Sequence, residues 1–334
     1  MSRNLIDSQI QSVTVWGITP LYGFSTDSEP LIITQREKIT ESSEENLRMF
    51  RSDDDFLHHI RLFRPDHLLW TKLEFDRERF LEIVGLAAPA VGSWTPDSFE
   101  NFVRPVRDTL RALHLFRPGR LVAGDTSFFI RTSDEGSGSF LIARCSEMSI
   151  DFQYVHRMRP SYQLPSAEVA FFVQFLGRFS QAWIRASQCE KIDYALMRYA
   201  RESSTYGEAV ELMISLESLL VPETERIKFR LAQRVANLLD SGAADRKDRS
   251  AEIRKFYNVR SKIVHGERFE AEHFEIAKQL DSLREITRRI LLSVIAIAEE
   301  RPLDQRFYSA LDEMCFDDDL RRSFQQKAAS LLHC

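Results

Sequence analysis

Residues 250–266 read SAEIRKFYNVRSKIVHG. Ile253, Phe256, Tyr257, Ile263 and Val264 recur at helical spacing and predict an amphipathic α-helix. Arg260 falls seven residues after Ile253, two turns on, and so lies on the apolar stripe. An unpaired guanidinium in a core is costly, so Arg260 needs an internal carboxylate or a cleft that binds an anion. His265 shares another row with Asn258 and Ser261. At ~100° per residue it stands ~140° round from Arg260, so one straight helix does not aim both side chains at one point. Gly266 is a natural terminator and puts His265 in the last turn, where the helix dipole favours a cation.

An imidazole suits proton transfer near neutral pH, and a guanidinium suits the charge of a phosphoryl group in a transition state. In RNA the ribose 2′-hydroxyl supplies the nucleophile, so these two side chains are enough for cleavage without a metal. The spacing of an arginine and a histidine carries little information by itself. The other reading is an internally paired Arg260 and a His265 that only ends a helix.

The surroundings are helical from residue 166 onward. Helices are predicted at roughly 166–188, 190–202, 206–220, 224–240, 248–265, 272–299 and 305–332. Ser166 is placed to cap the first. Glu217, in LMISLESLL (212–220), is a carboxylate at the edge of an apolar face. It is a candidate partner for Arg260, Arg230 or Arg234, either as a structural ion pair or by ordering Arg260. Residues 226–262 hold eleven Lys or Arg against four acids, a local excess of seven positive charges. Arg254, Lys255 and Lys262 are the candidates for holding RNA phosphates. The other reading is a solvated face. A second group, Arg104, Arg107, Arg111, Arg117 and Arg120, could extend that surface from the N-terminal domain, but the solvated reading is favoured for it.

The first 160 residues have a mixed texture. SVTVWGI (12–18), PLIITQ (30–35), GRLVAGDTSFFIRT (119–132) and GSFLIARCSEMSIDFQYV (138–155) read as strands, with a hairpin turn at SDEGSGS (133–139). SFENFVRPVRDTLRALHLF (98–116) reads as a helix, with Pro105 placed near its first turn and His114 as a core residue. TESSEENLRMFRSDDD (40–55) reads as an exposed segment, and MRPSYQLPS (158–166), with Pro160 and Pro165, as a linker. The expected fold is an α+β domain over 1–160, of no assigned role, followed by an all-α helical bundle over 161–334 with a C-terminal helical extension.

Composition narrows the function classes. The chain of 334 residues has 43% hydrophobic and 28% charged residues and a formal charge of -5, so any nucleic-acid surface is local. Cys145, Cys189, Cys315 and Cys334 are far apart and lack CxxC spacing, against a disulfide framework or zinc site. His58 and His59 follow acids without the i, i+4 ligand pairing of a helical metal site. No metal and no cofactor is expected. Phosphate-loop, dinucleotide and hydrolase-elbow motifs do not occur. The longest apolar run, in RRILLSVIAIAEE (288–300), is too short for a membrane span, and no signal-peptide core opens the chain. A cytoplasmic location without membrane association is expected.

YNVRSKIVHGE (257–267) closely resembles the R-x4-6-H signature of HEPN domains, specifically the ApeA-like group. AVELMISLESLLVPET (209–224) is similar to that group's helix with an L-E-x-L-L core, and RIKFRLAQRVANLL (226–239) to the next. The resemblance covers roughly 165–300. It implies an α-helical, dimeric HEPN bundle acting as a metal-independent endoribonuclease in prokaryotic antiviral defence or a toxin-like response. Arg260 and His265 carry over as the catalytic pair, completed across a two-fold axis by a second copy. Ser261 takes the supporting position after the arginine, where a larger polar residue is usual. RNA and a second copy of the chain are the implied partners, with a phage or protein trigger sensed by the N-terminal domain. The alternative is a catalytically silent HEPN module that binds nucleic acid, a nucleotide or a protein partner.

Overall fold

The computed structural model describes residues 12–27, 29–43, 65–76, 78, 96–119, 121–131, 139–145, 162–201, 205–266 and 272–332. The chain divides into two compact units, residues 1–114 with 119–173, and 115–118 with 174–334. A β-rich N-terminal region is followed by a helical C-terminal region.

In the first unit, strands β1 (Ser12–Tyr22), β3 (Leu31–Ile32), β4 (Glu37–Glu41), β5 (His67–Asp76), β6 (Val122–Ala123), β7 (Thr126–Arg131) and β8 (Ser139–Cys145) form one sheet. Its order is β3-β4-β5-β1-β7-β8, with β6 beside β1, and its pairs are antiparallel. The longest ladder joins β1 to β5, from Ser12 opposite Asp76 to Leu21 opposite His67. Helix α1 (Pro96–Phe116) buries Val103, Val106, Leu110 and Leu113. A methyl group added at Gly17 of β1 would stand 3.0 Å from the Phe128 ring and 3.3 Å from Val106, so glycine permits the close approach of helix and sheet. Beside this sheet, β2 (Phe24–Ser25) and β9 (Tyr162–Gln163) pair in parallel. The Phe24 and Tyr162 rings stack at 5.8 Å.

Several expectations need correction here. Pro105 lies well inside α1, not in its first turn. A proline there removes one backbone donor and crowds the preceding turn, and burial of the apolar face outweighs that cost. PLIITQ contributes only Leu31–Ile32 to the sheet. The strands at 37–41 and 67–76 were not expected. Ser166 opens a 3-10 turn whose N-cap is Pro165, without a side-chain cap; its amide donates to Asp27 Oδ1 at 2.7 Å. His114 is buried, as expected for a core residue. In the second arginine group, Arg111 meets Asp108 one turn back at 3.6 Å. His58, His59, Arg120, Pro160, Cys334, most of the acidic segment and the 133–138 hairpin lie outside the described residues.

The helical region comprises α2 (Val169–Ala186), α3 (Glu190–Ala200), α4 (Thr205–Leu220), α5 (Ile227–Leu239), α6 (Ala243–Val264), α7 (Glu272–Ala298), α8 (Gln305–Glu313) and α9 (Asp318–Leu332). The helix expected over 305–332 is two. Asp317 Oδ1 accepts from the amides of Asp319 and Leu320, both at 2.9 Å, and so starts α9 as a separate helix. Helix α6 begins five residues earlier than expected.

A buried ion pair and a buried arginine held by two carboxylates fasten the bundle. Arg284 of α7 donates to Glu208 of α4 at 2.6 and 2.9 Å, with both side chains nearly sealed from water. Arg234 of α5, 0% exposed, meets Asp312 of α8 at 2.7 and 2.8 Å and Glu223 at 2.9 and 3.0 Å. It also donates to the Leu220 carbonyl at the end of α4. Burial works against the charge of Arg234, but the hydrogen bonds it donates to Asp312 and Glu223, with their negative charges, outweigh it and hold the guanidinium charged. Glu223 also takes Arg230 at 2.6 Å. Among the described residues no helix is long and apolar enough to cross a membrane. Cys189 and Cys315 are free thiols.

Candidate functional site

Helix α6 supplies most of the site. Ile253, Phe256 and Val259 form its buried stripe. Tyr257 and Ile263 are half-buried, and Val264, expected on the stripe, is 54% exposed. Val264 belongs to the last turn, beyond the level where Glu217 of α4 meets Arg260 and Lys228 of α5 meets Asn258. The last turn closes as glycine chemistry dictates. His265 is the C-cap, Gly266 has φ +68°, and the Gly266 amide donates to the Ile263 carbonyl at 3.1 Å. His265 is exposed.

Arg260 is half-buried on the inner side of the helix. Its Nη2 contacts Glu217 Oε2 at 3.4 Å, a long single contact. Its guanidinium lies over the Tyr257 ring at 5.9 Å, within cation–π range. Arg260 Nε and Glu217 Oε1 are both buried and without a hydrogen-bond partner. Arg234 and Arg284, with several short contacts each, show how this fold satisfies an arginine that serves only as a strut. Of the three arginines considered for Glu217, it is Arg260 that pairs with it, while Arg230 and Arg234 take Glu223.

Burial pushes the Glu217 carboxyl above the ordinary glutamate range, and the Arg260 charge pulls it part of the way back. Burial, then the Glu217 charge, also raises the Tyr257 hydroxyl, against the pull of Arg260. A carboxyl raised in the folded state favours folding at low pH, and that contribution is lost as pH rises from the ordinary glutamate range through the raised value. Glu217 is therefore expected to titrate high by carbon-detected NMR. Arg260→Ala should raise it further, because Arg260 is the group that lowers it. A Glu217 titrating in the ordinary range, or unmoved by Arg260→Ala, would contradict this pairing.

The opposite face of α6 is basic. Arg254, Asn258, Lys262, Lys255 and His265 fall within an arc of ~100°. Between Ile253 and Val264 there are four Lys or Arg and no carboxylate. Arg254 and Lys255 are exposed; Arg254 Nε donates to the Ser250 carbonyl at 3.1 Å and Lys255 to Gln279 at 3.2 Å. Lys262 and Ser261 are half-buried. The patch read from the sequence is thus narrower than its eleven cations. Arg230, Arg234 and Arg249 are used internally, Arg249 by Asp240 at 3.2 Å and Glu252 at 2.6 Å.

Helix α6 thus carries a basic, exposed face with His265 at its end and an incompletely paired Arg260 on its inner side, as the ~140° separation requires. Sequence reasoning missed Tyr257 as the support beneath Arg260; its signal was the i, i+3 spacing to that arginine. It also missed Lys228, which reaches Asn258 at 3.1 Å from the start of α5. Among the described residues no cluster of three His, Cys, Asp or Glu side chains could hold a metal ion. Comparison of the chain with protein-family models, with curated proteins and with solved structures yields no match.

Proposed function

We propose that the helical region is a HEPN-type bundle acting as a metal-independent endoribonuclease, with Arg260 and His265 as its catalytic pair. The observation that carries this reading is the incomplete pairing of Arg260. One 3.4 Å contact and an orphaned Nε leave a half-buried guanidinium with donor capacity, five residues before the His265 that ends the basic face. A guanidinium so held can shift toward a phosphoryl group at small cost, unlike Arg234. In the reaction, a histidine takes the ribose 2′-hydroxyl proton as the new O2′–P bond forms. Arg260 stabilises the phosphorane charge, and an imidazolium returns a proton to the departing 5′-oxygen as the P–O5′ bond breaks. Glu217 orders Arg260, and Ser261 takes the supporting position that follows it in the chain. The defence or toxin-like setting and a trigger acting through the N-terminal region belong to the same proposal.

Arg260 and His265 point to different sides of one helix, so the site is completed by a second chain about a two-fold axis. Sedimentation at micromolar concentration should find a dimer. A strict monomer, with and without RNA, would rule out the composite site.

The exposed cations Arg254 and Lys255, with Lys262, hold the RNA backbone. Changing all three to alanine should weaken binding and flatten its salt dependence by up to three phosphate contacts. Unchanged affinity and salt slope would make the face merely solvated. The function itself is tested by incubating purified protein with total RNA in EDTA beside His265→Ala. Cleavage by the wild type alone supports the reading; no cleavage by either leaves a binding module.

A further inference from the structure

Resting on the ribonuclease reading, the geometry points to a nucleobase-stacking subsite at Phe229 that makes the substrate single-stranded RNA. Phe229 is on the first turn of α5 and 58% exposed, a large apolar ring that the bundle does not cover. The preceding residue, Lys228, reaches Asn258 of α6 at 3.1 Å. Asn258 is on the row that ends in His265. Phe229 thus directly follows the residue that meets α6 within residues 253–264, the stretch whose charged side chains are all cations and whose Arg254, Lys255 and Lys262 lie on the basic face.

The chemistry of the occupant follows from the combination. The cations of α6 favour a polyanion, and the bare ring favours a flat π-face. A protein partner of acidic character would satisfy the first property but has no systematic need of the second. A duplex satisfies the first, but its bases are stacked on one another and offer no free face. A single strand offers phosphates to the cations and an unstacked base to the ring. The α5 first turn contains no acidic residue to repel it.

The test uses the full chain carrying His265→Ala, so that binding is read without cleavage. The probes are a labelled single-stranded 12-mer RNA and a duplex of the same sequence, followed by fluorescence anisotropy. Phe229→Ala should weaken single-strand binding about 5- to 150-fold, the range of one base stack. Phe229→Trp should keep it, and duplex binding should stay the same in all three. Equal single-strand affinity in Phe229→Ala overturns the proposal. So does a loss that accompanies dissociation of the protein into monomers, which would make this face a contact between chains. Two further outcomes separate the subsite from the reading it rests on. If the wild type binds through Phe229 yet leaves RNA uncut, the subsite stands and the ribonuclease reading falls. If the wild type cleaves RNA with Phe229 indifferent, the reverse holds.

Discussion

Arg260→Ala and His265→Ala are each expected to lower RNA cleavage by ~10²-fold or more while the fold persists. The two losses have different origins. His265 is an exposed C-cap residue, and its side chain contributes little to the bundle. Removing it deletes a proton carrier only, so affinity for RNA at neutral pH should stay near wild type. Arg260 is half-buried over Tyr257, and its loss leaves Glu217 without its cation. Arg260→Lys is the sharper variant. It keeps the charge but not the planar fork that matches a phosphoryl group, and should recover stability more than rate. Equal rates for wild type and Arg260→Lys would mean that charge alone matters there. Cleavage that survives both alanine changes would place the chemistry elsewhere in the chain.

Arg234→Ala is expected to destabilise the helical unit by about 3 kcal/mol, the lower end of the range for breaking a buried pair. The lower end applies because Asp312 and Glu223 keep some contact with water, at 42% and 25% exposure, and can be resolvated. The truncation also empties a fully buried volume between the end of α4, α5 and α8. A change of that size lowers the midpoint by roughly 6–12 °C for a unit of this length. Arg234→Met should recover part of the loss by filling the space. Differential scanning calorimetry reads both, and a midpoint unchanged in Arg234→Ala would show the network to be neutral. His265→Ala in the same instrument should move by less than about 0.5 kcal/mol, as surface changes do.

The α6 helix was legible because two signals agree in it, a helical apolar stripe and a glycine at its end. The position of Arg260 on that stripe was legible too, and with it the need for a carboxylate. Its partner was not, because the choice among Glu217 contacts depends on how α4 and α5 pack, which no local pattern encodes. Strand β5 escaped notice for a related reason. Leu68, Leu69, Trp70 and Thr71 are buried in succession at the middle of the sheet, so the alternation that marks a half-exposed strand is missing. The break between α8 and α9 was hidden in CFDDDL (315–320), where a run of acids resembles a solvated helix face. The capping role of Asp317 shows only once its hydrogen bonds are seen. Exposure of Phe229 and Val264 is equally a property of packing, since both fit the apolar pattern of their helices.

The most direct test of the central claim is end-group analysis of RNA digested by the wild-type chain in EDTA. Attack by the 2′-hydroxyl, with proton transfer by His265 and charge stabilisation by Arg260, should leave a 2′,3′-cyclic phosphate or 3′-phosphate upstream and a 5′-hydroxyl downstream. Deoxyribose at the scissile nucleotide should block the reaction. A 5′-phosphate product, or activity that disappears with the chelator, would contradict it.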